Sequence, residues 1–237
     1  MQQIQISEIK IDIIKKDIKN IHLSVYPPNG KVKISAPHRM DPETIRIYAI
    51  SKLNWIRNHQ RKFKNQERET PRDYVTKESH YFNGKRYLLK VIEHNAPPMI
   101  VLKHSAIELY VRPNTDAKKK QSILEDWQRK VLKDKAAEVV AKWEKIMNVS
   151  VNEIGVRKMR TKWGTCNSKE KRIWLNLELA KKPPQCLEYI IVHEMVHFFE
   201  KNHNEIFLAY LNKYLPKWRT YKQELNKIPL GFVEWGE

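Results

Sequence analysis

Along the first hundred or so positions, apolar and polar residues alternate with the two-residue period of strands half buried in a sheet. Ile4, Ile6, Ile11 and Ile13 keep that period, and Ile21, Leu23 and Val25 keep it again before Pro27-Pro28-Asn29-Gly30, after which Val32 and Ile34 resume it. The Asn-Gly pair predicts a hairpin, because both central residues of a tight primed turn take positive φ. Asp41-Pro42-Glu43 supplies an N-cap, a first-turn proline and an early acid, so a helix opens there with Ile45, Tyr48, Ala49, Leu53 and Ile56 on one face. Its basic tail, Arg57 to Lys64, reads either as a phosphate-facing patch or as an ordinary solvated face. A second Asn-Gly pair, Asn83-Gly84 between Tyr81 and Tyr87, predicts another hairpin, and strands near Met99 to Lys103 and Ile107 to Val111 extend its sheet.

Near residue 115 the period changes. Asn114-Thr115-Asp116 precedes a long helical stretch in which Ile123, Trp127, Leu132, Ala136, Val140 and Trp143 return to one side. The domain boundary is therefore expected there, with a β-rich domain carrying one helix over 1–115 and a second domain over 116–237. Within the second, a short strand is expected between Val149 and Val156, a basic strand and turn from Arg157 to Cys166, and an alternating strand from Arg172 to Leu179. Pro183-Pro184 breaks the chain before a further helix. No internal repeat is visible. The fold class is α+β, a β-rich N-terminal half followed by a helical C-terminal half.

Composition narrows the picture. The chain has 237 residues, 41% of them apolar, enough to bury a core. No apolar run approaches the ~18 residues that span a bilayer, and Met1-Gln2-Gln3-Ile4-Gln5 lacks a signal peptide's basic and apolar regions, so a soluble cytoplasmic protein is expected. Cys166 and Cys186 form no Cys-x-x-Cys pair and read as reduced structural thiols, Cys186 at the start of the last-mentioned helix. A formal net charge of +18 and a pI near 9.8 suit nucleic acid, nucleotides or acidic protein tails, or reflect a lysine-rich composition with no ligand behind it. The oligomeric state is not readable from the sequence.

The candidate chemistry lies in Ile190-Ile191-Val192-His193-Glu194-Met195-Val196-His197. On a helix, residues four apart share a face about 6 Å apart in rise, so His193 and His197 can reach one ion while Glu194 addresses water beside it. His203 is the expected third ligand; Glu205 and Glu224 are carboxylate alternatives. In a straight helix His203 would be roughly 15 Å from His193, so the helix must stop, and Asn202 with Lys201 places that stop between Glu200 and Asn202. Three protein ligands leave zinc a fourth position for water, the arrangement of catalytic sites. Nickel and cobalt also accept nitrogen ligands. Glu200 stands where metzincins carry glycine, and no methionine follows His203, so the chain is not a metzincin.

A family resemblance emerges from these residues together with others. Lys162-Trp163-Gly164-Thr165-Cys166, Ile173-x-Leu175-Asn176, Pro184, Tyr189-Ile190-Ile191-Val192-His193-Glu194-x-x-His197 and Asn202-His203-x-x-x-Phe207 resemble the YgjP-like family of metal-dependent hydrolases. In the N-terminal half, Gly30-x-Val32-x-Ile34-x-Ala36-Pro37, Lys52-x-x-Trp55-Ile56 and Gly84-Lys85-Arg86-Tyr87 are similar to that family too. Lys162 and Thr165 replace the family's usual arginine and serine; charge and hydroxyl persist, but bidentate guanidinium geometry is lost. The resemblance implies a zincin-like catalytic half related to SprT-type metallopeptidases, zinc at His193, His197 and His203, and a catalytic Glu194. It implies either peptidase activity or pyrophosphohydrolysis of UTP.

Zinc would lower the pKa of its water to about 7, with Glu194 taking the proton and passing it to the leaving group. A nucleoside triphosphate would need cations around its phosphates, for which Arg157, Arg160, Lys162 and Arg172 are candidates. Three functions follow: nucleotide pyrophosphohydrolase, with UTP or related nucleotides slightly favoured; zinc peptidase acting on peptides or unfolded protein; or nucleic-acid-binding protein with a non-catalytic metal site.

Overall fold

The computed structural model describes residues 2–26, 29–65, 72–159 and 161–227. Two compact units divide the chain, Met1–Glu67 and Arg68–Glu237.

The first unit begins with β1 (Gln2–Ile6), β2 (Ile9–Lys16), β3 (His22–Tyr26) and β4 (Lys31–Pro37). They form a sheet in the order β1-β2-β4-β3, antiparallel at both outer pairs and parallel between β2 and β4. Of the period-two apolar residues, Ile6, Ile11, Ile13, Val25, Val32 and Ile34 are buried, with Ile9 beside them, while Ile4, Ile21 and Leu23 are partly covered. Of the first Asn-Gly turn, Gly30 has φ +68, while Pro27 and Pro28 lie outside the described residues. The expected single helix is two, α1 (Pro42–Ser51) and α2 (Leu53–Asn65), parted at Lys52, whose backbone N–H bonds Ala49 and Ile50 instead of continuing the ladder. Asp41 caps α1 by accepting from Thr44 N at 2.8 Å. Ile45, Ala49 and Ile56 bury against the sheet's core residues, with Tyr48 and Leu53 partly covered beside them.

The second unit opens with β5 (Ser79–Phe82), β6 (Lys85–Glu93), β7 (Met99–Leu102) and β8 (Ala106–Val111), in the order β5-β6-β8-β7. Its pairings are again antiparallel, parallel, antiparallel. The topology of the first sheet is thus repeated, a repeat invisible in the sequence because alternation constrains only polarity. Asn83 and Gly84 take φ 48 and 76 in the expected turn. Gly84 also has no room for a side chain, since a Cβ there would stand 2.8 Å from Pro183 Cγ. Backbone bonds from Asn83 N to Ala180 O (2.9 Å) and Gly84 N to Lys181 O (3.0 Å) seat this hairpin tip on the segment ahead of the histidine helix.

Next comes α3 (Ala117–Met147), 31 residues capped by Asp116, which accepts from Lys119 N at 2.7 Å, and ended by left-handed Asn148. Its buried stripe is Leu124, Gln128, Leu132, Ala136, Val140, Trp143 and Met147; in its first turns Leu124 and Gln128 take the place expected for their neighbours Ile123 and Trp127, which are half covered. Then β9 (Glu153–Arg157), β10 (Gly164–Asn167) and β11 (Arg172–Asn176) build a small sheet ordered β10-β11-β9. The expected strand from Arg172 to Leu179 stops at Asn176, whose side chain accepts from Glu178 N and caps a 3-10 helix, Leu177–Lys181. Leu177 and Leu179 are buried as alternation required, but in a turn of helix. Finally α4 (Pro184–Val196), α5 (Glu205–Tyr214) and α6 (Trp218–Lys227) close the unit.

The boundary expected at 115 is corrected by this packing. Residue 115 marks where sheet gives way to α3, not where compact units part. Phe82, Leu89, Ile107, Leu109 and Val111 share one continuous core with α3, α4 and α5, because α3 buries its stripe against strands before it as well as elements after it.

Candidate metal centre

α4 carries the chemistry, and its first turns are anchored to α3 and α6. Pro184 starts it, Gln185 Nε2 donates to Glu224 of α6 at 2.7 Å, and Glu188 accepts from Lys142 (2.7 Å) and from Trp143 Nε1 (3.0 Å) of α3. Ile191, Val192, Met195 and Val196 are wholly buried, so the rotation of the helix about its axis is set by core packing. That rotation puts His193 and His197 together at its last turn, with ring centroids 5.2 Å apart.

The helix ends at His197, earlier than the stop expected between Glu200 and Asn202, and Asn202 is not left-handed. His197 itself ends it: Nδ1 pairs with Glu200 O at 3.0 Å, while Phe198 N and Phe199 N bond carbonyls three residues back. The Glu200 carboxylate accepts from Asn202 N at 2.9 Å, and Asn204 caps α5 by accepting from Phe207 N at 3.0 Å. The chain therefore reverses between two helices and returns His203 to the first, Nε2 to Nε2 of His193 at 2.9 Å. Phe207, buried beneath, packs against all three imidazoles with centroids 4.6 to 4.9 Å away.

One nitrogen from each of His193, His197 and His203 lies within 4.8 Å of the others. Tetrahedral nitrogen ligands about 2.0–2.1 Å from zinc stand roughly 3.3 Å apart, inside the observed spread. The donors suit a cation. Burial, and then His197, His203 and Lys222, push His193 down to about 3; burial first also lowers His203, so both present lone pairs. With Nδ1 of His197 directed at the Glu200 carbonyl, its Nε2 is left for the ion, the usual orientation of a ligating imidazole. Of the carboxylate alternatives, Glu224 is held by Gln185, and Glu205 is exposed in the first turn of α5 outside the cluster.

Glu194 is 6% exposed and lies against the first residue of β10: a Cβ on Gly164 would come 2.8 Å from its Oε1. Burial pushes this carboxyl up to about 7, opposed by Lys162. Cys166 and Cys186 are pushed up to about 12 and about 11, chiefly by burial, which fits inert thiols.

Three of the four candidate phosphate contacts lie among the described residues, each with its own partner. Arg172 is paired with Glu153 and Glu170, Arg157 lies over the Trp174 ring, and Arg160 lies outside the described residues. Lys162 alone of them acts on Glu194. Sequence reasoning missed Lys222 of α6, which bears on His193 and His203; the available signal was Trp218, four residues earlier on the same face, over which its ammonium lies.

The family model of the YgjP-like metallopeptidase domain matches residues 19–228. The chain belongs to this YgjP-like family. It is accordingly a metallopeptidase-like hydrolase, and membership implies a divalent metal, which the three histidines fit. No curated protein matches the chain. Among solved structures, the metallopeptidase zymogen abylysin of Pyrococcus abyssi matches with a TM-score of 0.37 at 15% identity, over 41% of this chain and 99% of its own. The zymogen jannalysin of Methanocaldococcus jannaschii matches with a TM-score of 0.33 at 27% identity, over 40% and 92%. No helix among the described residues is long and apolar enough to cross a membrane.

Proposed function

We propose that this YgjP-like protein is a zinc-dependent peptidase that cleaves polypeptide held extended along β10. The observation that carries the reading is the position of that strand. β10 is an edge of its sheet, packs on α4, and touches Glu194 through Gly164. An edge strand offers unpaired backbone groups, which recognise an extended chain by strand addition whatever its side chains.

His193, His197 and His203 are the proposed ligands. The ion supplies Lewis acidity, polarising a carbonyl and activating water. Glu194 accepts the proton of the attacking water on its carboxylate and delivers it to the leaving amine nitrogen. Its burial keeps bulk water away and its carboxyl near neutrality, where both transfers are feasible.

The nucleotide reading draws on Lys162 and Lys222, cations on two sides of the site. It loses Arg172, already held by two carboxylates, and a triphosphate spreads charge that two exposed lysines match poorly. The test incubates zinc-loaded full-length protein with unfolded casein and, separately, with UTP, each beside Glu194→Gln. Proteolysis confined to wild type, lost by about a hundredfold or more in the variant with zinc retained, is expected. Pyrophosphate release without proteolysis would reverse the two readings, and salt-sensitive nucleic-acid binding with neither activity would replace both.

A further inference from the structure

β9 leads to β10 through a strap whose described residues, Lys158, Met159 and 161–163, run into Gly164 and so into contact with Glu194. Three attachments hold it. Lys158 pairs with Glu125 of α3 at 2.5 Å, and the Trp163 ring lies beneath the buried Lys182 ammonium at 5.2 Å. The third is Asn176, 5% exposed at the end of β11. Its Nδ2 donates to Met159 O (3.0 Å) and Lys162 O (2.8 Å), while Oδ1 accepts from Met159 N (3.3 Å) and Glu178 N (3.2 Å). Its backbone N–H also donates to Trp163 O at 2.9 Å. An amide side chain has two donor hydrogens and two acceptor lone pairs, and here all four are used.

Three of those four bonds go to the strap, so the fit is specific to asparagine: aspartate lacks the donors, and serine has only one. We propose that Asn176 is the positioning residue of the substrate rim, clamping the strap so that Lys162 and the start of β10 are held in register with Glu194. This rests on the peptidase reading for its effect on substrate, but not for the clamp itself.

Asn176→Asp separates the clamp from the cap. The variant keeps the oxygen that accepts from Glu178 N and Met159 N, and hence the 3-10 helix, but sets a carboxylate against two carbonyl oxygens it can no longer donate to. In full-length zinc-loaded protein, amide exchange over 159–164 should rise about tenfold or more, with α4 and the rest of β11 unchanged. Zinc content should be unaltered. On a casein-derived peptide, KM should rise about fivefold or more with kcat changing less, and Lys162→Ala should add little in the variant to what it does in wild type. Should the variant fail to melt cooperatively, Asn176→Ser, which retains an acceptor and one donor, carries the same comparison. Unchanged strap exchange would overturn the clamp, and additive effects of the two substitutions would overturn its action through Lys162. A wild type without proteolysis would defeat the peptidase reading, and the exchange comparison would still decide on the clamp.

Discussion

At position 164 a methyl group has no free volume: it would come within 2.8 Å of Glu194 Oε1, 2.9 Å of Ile190 Cγ2 and 3.0 Å of Glu194 Cγ. Ile190 is locked in the core, so the carboxylate is the group that must yield. Gly164→Ala is therefore expected to cost about 1–3 kcal/mol of stability, as overpacking does, and to lower kcat at least tenfold as Glu194 is displaced. Paired measurements of Tm and kcat check this; full activity with a lowered Tm would mean that Glu194 has another productive position. The role of glycine here was not legible in Lys162-Trp163-Gly164-Thr165, because the need for it comes from α4, thirty residues on. His193, Glu194 and His197 were legible since their relation is local to one helix. Lys222 was not, because only the packing of α6 on α4 brings it to the histidines.

Between helices, the same divide separates local from tertiary causes. The cap Asp41 was read correctly, and the start of α3 was placed at Asn114-Thr115-Asp116, because each capping aspartate bonds an amide three residues away. The end of α4 was misplaced because His197 and the Glu200 carbonyl set it, and the return of His203 depends on α5 beginning at once. Asn204 is the residue that starts α5. Asn204→Ala should cost about 1 kcal/mol, the usual loss of an N-cap, and weaken zinc binding severalfold by freeing His203 while leaving α4 intact. A metal titration alongside a thermal melt checks the pairing of effects; a lower Tm with unchanged affinity would show that Phe207 alone holds His203. The strand predicted through Leu179 failed for a related reason: buried Leu177 and Leu179 suit period two, and only the Asn176 side chain turns the backbone into a 3-10 helix.

For the whole molecule, the consequential revision is where it divides. The two hairpins β3–β4 and β5–β6 were readable from alternation and the Asn-Gly pairs, whereas the parallel pairings and the sharing of a core between β5–β8 and the later helices were not, since alternation shows that a face is buried but not against what. Phe82, Leu89, Ile107, Leu109 and Val111 are each buried to within 2% exposure in the core that also holds α4. Each contributes about 1.5–3 kcal/mol by leaving water, so together they match the roughly 5–15 kcal/mol by which a domain is stable at all. Removing them would also strip Pro183 of Gly84 and the 3-10 helix of its bonds to the Asn83-Gly84 turn, loosening the approach to α4. A polypeptide of residues 68–237 is therefore expected to melt cooperatively and to bind zinc as the full chain does, because the core of Met1–Glu67 is a separate cluster. A polypeptide of residues 116–237 is expected to lack near-ultraviolet circular dichroism and a cooperative melt, with zinc affinity lowered by orders of magnitude as the histidine helix loses its support. Cooperative folding of the shorter piece would restore residue 115 as the boundary and make β5–β8 an accessory to the metal centre instead of part of its foundation.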